Sequence, residues 1–288
     1  MVTPRDAATV MLVRDMPDLH VFMLRRSLNA DFVGGAHVFP GGGVDADDRL
    51  AEIEARAPGR SDADASRLLG VPSGGLGFWV AAIRESFEEA GVLMARPRAS
   101  GGPVDLADPE AAARFARARD ALNARRLRFV DFLADEDLVL DVTSLHVFSH
   151  WITPAGMPRR YDTWFFVAEA PEGHAYLHDD FETIESAWIR PADAIARSRR
   201  GEVELIFPTF KNLEALTRFD TAAGLVEYAR DATDVAATQP RIVRDASGTR
   251  LLLPGDDGYD DATDPADGSV DPRQIADALT SAPRESTG

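Results

Sequence analysis

The chain has 288 residues, 45% of them hydrophobic, a formal net charge of −17 and no cysteine. The charge argues against a generic affinity for nucleic acid or an anionic membrane, since both are bound through basic patches. The missing cysteines exclude disulfides and thiolate metal sites, while the apolar content supports a conventional core in one large domain or two small ones.

The opening segment MVTPRDAATVMLVRDMPDLHVFMLRRS has apolar runs broken by Arg14, Asp15, Asp18, Arg25 and Arg26. No segment approaches the roughly 20 apolar residues of a membrane span, so the expectation is a soluble, cytoplasmic protein with no membrane partner. Residues 8–14 and 19–26 are β-rich runs separated by Asp15, Met16, Pro17 and Asp18, the pattern of a hairpin. A glycine cluster follows in GGAHVFPGGGVDADD, which predicts no regular structure beyond a short strand at 37–39. Residues 49–77 carry a short helical pattern among Pro58, Gly59, Pro72, Gly74, Gly75 and Gly77 and read as an inserted loop. A helix is predicted over 78–91, then a second insertion over about 97–140 with helices at 109–128, capped by Asp108, and 129–136. Strands are expected at 144–152, 163–168 and 185–189, and helices from Pro191, over 208–219 and over 221–237. The segment 238–254 reads as a small hairpin. Residues 255–288 hold nine acids against two arginines, a composition that favours a disordered acidic tail. Strands interspersed with helices place the chain in the α/β or α+β class, with helices covering a mixed sheet.

The helix FWVAAIRESFEEAG has an unusual charge distribution. At about 100° per residue, Glu85, Glu88 and Glu89 share one face, while Val80, Ile83, Phe87 and Ala90 lie opposite. The helix can dock through its apolar side and present three acids outward, and Gly91 suits its end. A solvated face is the ordinary explanation of clustered acids. Here, however, no basic residue follows at i+4 to offset them, and a hard divalent cation would relieve the repulsion.

The residues RESFEEAGV, Arg84 to Val92, resemble the second half of the Nudix box, R-E-U-x-E-E-x-G-U with U a bulky aliphatic residue, and FPGGGVDADD resembles its start. Two departures accompany the match. Asp48 stands at the first acidic position, with 35 residues between it and Arg84 where the box has seven, an insertion of 28. Ser86 also occupies a normally aliphatic position. With LRRS, RRYDTWFF and HDDFETIESAWI, the chain looks most like the branch of Nudix hydrolases that includes peroxisomal coenzyme A diphosphatase.

The resemblance implies an α/β/α sandwich with a mixed sheet, a helical insertion and extra C-terminal helices, occupying residues 1–237. It implies metal-dependent hydrolysis of a nucleoside diphosphate linked to another moiety, with coenzyme A or acyl-coenzyme A favoured. A pyrophosphatase acting on ADP-ribose, NADH or a dinucleotide polyphosphate, and a non-catalytic nucleotide-binding regulator, are the alternatives. Glu85, Glu88 and Glu89 would be the catalytic acids and, with the Gly42 carbonyl and Glu182 as a further acid, the ligands of Mg²⁺ or Mn²⁺. Arg26, Phe39 and Arg160 would contact substrate, while Arg84 and Gly91 would be structural. Asp48 is either a partner in the box or a solvated loop acid. Many Nudix proteins are dimers, so a homodimer is in view, although no segment marks an interface.

Overall fold

Along β1 (Arg5–Asp15) successive side chains enter different cores, so this strand must be covered on both faces. The computed structural model describes residues 2–27, 35–99, 101–102, 104, 106, 108–174, 176, 179, 183–245 and 248–271. Within them, β1 and β2 (Leu19–Arg26) form the expected hairpin, with Val13 opposite Val21. The short β3 (His37–Val38) follows against β2. The glycine cluster departs from expectation: Gly41–Gly43 is a strand, β4, antiparallel to Ala7–Thr9. A Cβ on Gly41 would sit 2.5 Å from the Ala8 carbonyl oxygen, so closeness to β1, which local propensity does not encode, selects glycine here.

The first insertion is not a loop either. After a 3-10 turn (Ala46–Arg49) come α1 (Ala51–Glu54) and α2 (Asp62–Leu69). Ser61 caps α2 by accepting from the Asp64 N–H, and Gly70 closes it in the left-handed conformation. Ile53, Ala65 and Leu69 join the main core. The Asp62 carboxylate accepts from the Gly74 and Leu76 N–H groups at 2.9 and 3.0 Å, which ties the insertion to the start of α3 (Leu76–Ala90).

The second insertion contains β5 (Ala95–Pro97), α4 (Pro109–Asn123), α5 (Phe129–Asp135) and β6 (Leu138–Leu140), with β5 and β6 paired antiparallel. Asp108 caps α4 as predicted, accepting from the Ala111 N–H at 2.8 Å. The helix stops at Asn123, short of the expected 128, because Arg125 turns left-handed at φ 53°. There follow β7 (His146–Ile152), β8 (Tyr161–Glu169), β9 (Thr183–Ile189), α6 (Pro191–Arg199), α7 (Phe207–Leu216) and α8 (Ala222–Asp231). The last elements are β10 (Ala237–Thr238), β11 (Arg241–Asp245) and β12 (Gly248–Leu252).

Eight strands form one mixed sheet in the order β10-β7-β8-β1-β2-β3, with β4 also on β1 and β9 also on β2. β1 and β8 are parallel, Arg5 opposite Tyr161 through Val13 opposite Glu169. Ala8, Val10, Leu12, Phe22 and Leu24 face α3 and the insertions, whereas Met11, Val13, Val21 and Met23 face α6, α7 and α8. This is the expected α/β/α sandwich. Trp79, Val80, Ile83 and Phe87 of α3 are almost fully buried, each contributing about 1.5–3 kcal/mol. Phe87 also stacks on Phe132 of the second insertion, with ring centroids 5.3 Å apart. Beyond the sheet, β11 and β12 pair as the predicted hairpin, and Val270 is buried with Ile242 and Met157. Within the acidic tail, residues 255–261 and 267–268 form turns and 262–266 and 269–271 no regular element, while 272–288 lie outside the described residues. Among the described residues, no helix is long and apolar enough to cross a membrane.

Candidate active site

The C-terminal half of α3 lies beside β4, so the glutamates of the helix meet the glycines of the strand. A cleft of about 1560 Å³ opens there, lined by Gly41–Gly43, Glu85, Glu88 and Glu89, by Arg5 and Thr9 of β1 and by the end of α4. The three acids do not project into open solvent as the helical wheel alone suggests. Glu89 is buried and its Oε2 accepts from the Gly41 N–H at 2.9 Å, which clamps helix to strand. A Cβ on Gly42 would lie 2.5 Å from Glu85 Oε1, so the carboxylate packs directly on the glycine backbone. Gly42→Ala is therefore expected to displace Glu85 and lower turnover at least tenfold, while far-ultraviolet circular dichroism stays as in the wild type; unchanged turnover would show that this contact is dispensable.

Arg84 organises the acids. Its Nε and Nη2 donate to both Asp48 oxygens at 2.9 Å, Nη2 also donates to the Gly43 carbonyl at 2.8 Å, and Nη1 donates to Glu85 Oε1 at 2.8 Å and Glu88 Oε2 at 2.9 Å. All five guanidinium N–H bonds are thereby used. Asp48 is not a solvated loop acid: it is 2% exposed and returns to the Arg84 fork despite the insertion. Three carboxylates share one guanidinium, and their titration reflects the imbalance. Burial pushes the Glu85 carboxyl up to about 7, against the pull of Arg84 and with help from the Glu88 and Asp48 charges. Burial likewise raises Glu88. It also raises Asp48, with the fork to Arg84 and the Asp45 N–H pulling the other way. Burial works against the charge of Arg84, but the surrounding carboxylates outweigh it and hold the pKa above the ordinary guanidinium value.

Among the described residues, no three His, Asp or Glu side chains converge as a ready-made metal centre, because Glu85 and Glu88 turn to Arg84 and Glu89 turns to Gly41. The donor chemistry nevertheless fits a hard divalent cation: carboxylates with surplus negative charge, next to the backbone of Gly42.

The other predicted residues divide. Arg26 lines the cleft. Gly91 ends α3 at φ 67°, its N–H bonded to the Phe87 carbonyl, the structural part expected of it. Phe39 is corrected to a core residue, 2% exposed in the cluster against α7. Arg160 is also corrected: it is buried, donating to the Thr153 and Val2 carbonyls at 3.1 and 3.0 Å, and it is absent from the cleft wall. Glu182 lies outside the described residues. Sequence reasoning missed the end of α4. There Arg119 Nε and Asn123 Nδ2 both donate to the Glu88 carbonyl, at 2.9 and 3.1 Å, so the second insertion grips the helix that carries the acids. It also missed the apolar wall formed by Trp151, Met157, Phe165, Ile206, Phe207 and Leu251.

Comparison with known proteins gives this geometry a family. The profile of the NUDT19 Nudix domain matches residues 53–216. The acyl-coenzyme A diphosphatase NUDT19 of Gallus gallus is 31% identical over 306 aligned positions, covering 90% of this chain and 81% of the relative. The protein of the same name from Homo sapiens is 30% identical over 272 positions, covering 83% and 72%. Among solved structures, a NUDIX hydrolase from Alicyclobacillus acidocaldarius matches with a TM-score of 0.60 at 27% identity, over 82% of this chain and 99% of that one. The arginine-centred cluster of acids thus sits in a Nudix hydrolase fold, and the chain belongs to the NUDT19 Nudix domain family.

Proposed function

We propose that the protein hydrolyses the diphosphate of coenzyme A or an acyl-coenzyme A, with Mg²⁺ or Mn²⁺, to give adenosine 3′,5′-bisphosphate and 4′-phosphopantetheine or its acyl form. The observation that carries this reading is the packing of Glu85 on Gly42 beside Glu88 and Glu89, in a cleft that is also lined by apolar side chains. Water adds across one P–O–P linkage: one P–O bond forms, one breaks, and the departing phosphate oxygen keeps the electron pair. A divalent cation at such a site neutralises phosphate charge and lowers the pKa of water. Glu88, Glu89 and the Gly42 carbonyl would hold the ion. Glu85, with a carboxyl near pKa 7, is suited to hold the ion or to take the proton of the attacking water. Arg84 keeps Glu85 and Glu88 at the cleft edge. The apolar wall suits a pantetheine or acyl arm, which a bare dinucleotide lacks.

The test is incubation with coenzyme A, an acyl-coenzyme A, ADP-ribose, NADH and a dinucleotide polyphosphate, with products identified by mass. Release of adenosine 3′,5′-bisphosphate is expected. Cleavage of ADP-ribose or NADH with coenzyme A left intact would overturn the reading.

A pH effect follows from the same acids. Without a cation, the folded chain binds more protons than the unfolded chain between the ordinary glutamate value of 4.5 and about 7, so the contribution of Glu85 to stability falls as pH rises through that window. A bound cation offsets that loss. The rise in melting temperature caused by Mn²⁺ or Mg²⁺ is therefore expected to be larger at pH 8 than at pH 6, and a shift that shrinks with rising pH would contradict the assignment.

A further inference from the structure

The turn that ends α4 carries two arginines, Arg125 and Arg126, which the proposed hydrolysis leaves without a part. Both are exposed and both line the cleft. In a chain of net charge −17, an arginine can readily find a carboxylate. Arg84, Arg49 and Arg128 do so around the same cleft, paired with Asp48, Asp6 and Asp131. Among the described residues, Arg125 and Arg126 form no ion pair, nor do Arg5 of β1, Arg26 of β2 and Asp120 of α4, which line the same cleft; what sets Arg125 and Arg126 apart is that they stand side by side in one turn. The turn itself is fixed. Arg125 adopts φ 53°, a left-handed conformation that costs a non-glycine residue about 1–2 kcal/mol. The Arg125 and Arg126 N–H groups are bonded to the Leu122 and Ala121 carbonyls, each at 2.8 Å. Asn123, two residues before Arg125, donates to the carbonyl of Glu88. The arginine pair is thereby registered against the catalytic helix through backbone and amide contacts, and two guanidinium groups are left to point their donors elsewhere.

Planar guanidinium groups bind phosphate through paired charge-assisted hydrogen bonds, most strongly when the phosphate is a dianion. We infer that Arg125 and Arg126 form a second anion subsite, which receives a phosphomonoester of the substrate adjacent to, and separate from, the diphosphate under attack. This rests on the proposed function in one respect: in coenzyme A that group is the 3′-phosphate, one ribose away from the diphosphate. ADP-ribose, NADH and dephospho-coenzyme A lack it. The second insertion then acts as a selectivity element, and the arginines that close it choose among nucleoside diphosphates that the glutamates alone would treat alike.

The experiment measures binding and turnover separately. The full-length protein is titrated with adenosine 3′,5′-bisphosphate and with AMP, which differ only in the 3′-phosphate, at fixed ionic strength. The wild type is expected to bind the bisphosphate about 10–100-fold more tightly, the range of one or two charge-assisted hydrogen bonds. The double variant Arg125→Asn, Arg126→Gln should bring that ratio close to one and leave AMP binding unchanged. Asparagine is chosen at 125 because it tolerates the left-handed backbone. In turnover, the same variant should lose the preference for coenzyme A over dephospho-coenzyme A through a raised KM with an unchanged kcat. Arg67→Gln, on α2 and outside the cleft lining, should retain the preference in both assays. A wild type that binds the two nucleotides equally, a double variant that keeps the wild-type ratio, or an equal loss of the ratio in Arg67→Gln would each overturn the inference. Failure to hydrolyse coenzyme A, with the nucleotide preference intact, would instead count against the proposed function alone.

Discussion

Arg84→Met is expected to be the most destabilising single change near the cleft, costing about 3–5 kcal/mol, the usual range for removing one partner of a buried ion pair. The methionine fills much of the volume but leaves Asp48, Glu85 and Glu88 without the guanidinium that each now contacts. Asp48 suffers most, since its side chain is 2% exposed and cannot turn to water. The melting temperature should fall by roughly 10 °C. The deficit should also depend on pH in a defined direction. Without Arg84 the buried carboxylates bind protons more readily in the folded chain than in the unfolded one, so stability falls as pH rises, and the deficit is larger at pH 8 than at pH 5.5. Asp48→Asn should cost less than Arg84→Met, because it removes one charge from a group with surplus negative charge. Arg84→Lys should fall between them, as an ammonium keeps the charge but cannot supply the fork. Thermal melts of the three variants across that pH range check the order. A deficit for Arg84→Met that does not change with pH would show that the carboxylates are not what Arg84 stabilises.

The sequence made the glutamate helix legible because its information is local. The spacing of Glu85, Glu88 and Glu89 and the opposite placement of Val80, Ile83 and Phe87 follow from helical period alone, and the structure buries those apolar residues. The alternation in 8–14 and 19–26 was readable for the same reason. Where partners are distant, local signals mislead. Gly41–Gly43 has no strand propensity, yet it is a strand through its pairing with Ala7–Thr9; at Gly41 β1 passes too closely to admit a side chain, and at Gly42 the Glu85 carboxylate takes that space. Phe39 and Arg160 have the residue types of substrate contacts, yet one packs in the core and the other serves two backbone carbonyls. The first insertion did contain an overlooked signal: Ser61 followed three residues later by Asp64, with Gly70 beyond, punctuates a helix. Asp48 was legible by motif position, but the 28-residue insertion concealed its return to Arg84. The same insertion is tied to the start of α3 by Asp62, which holds the Gly74 and Leu76 N–H groups, a contact no local pattern specifies.

The three glutamates give the second large effect, and it separates catalytic from structural function. Glu88→Gln and Glu89→Gln are expected to abolish metal-dependent turnover, and Glu85→Gln to lower it by about 10²–10⁴-fold, the range for a positioned acid–base group. None should unfold the protein. In Glu89→Gln the amide oxygen of the new side chain can still accept from the Gly41 N–H, which preserves the clamp between α3 and β4. Glu85 and Glu88 are held above the ordinary carboxylate range by burial, so their ionised forms are a net strain on the metal-free fold. Neutral glutamine removes that strain, and metal-free Glu85→Gln and Glu88→Gln should melt at or above the wild-type temperature at pH 8. Inactive variants that are at least as stable would match acids retained for chemistry at a cost in stability. Equal loss of activity and melting temperature would instead make the glutamates part of the scaffold, and retained turnover in both Glu88→Gln and Glu89→Gln would remove them from the reaction.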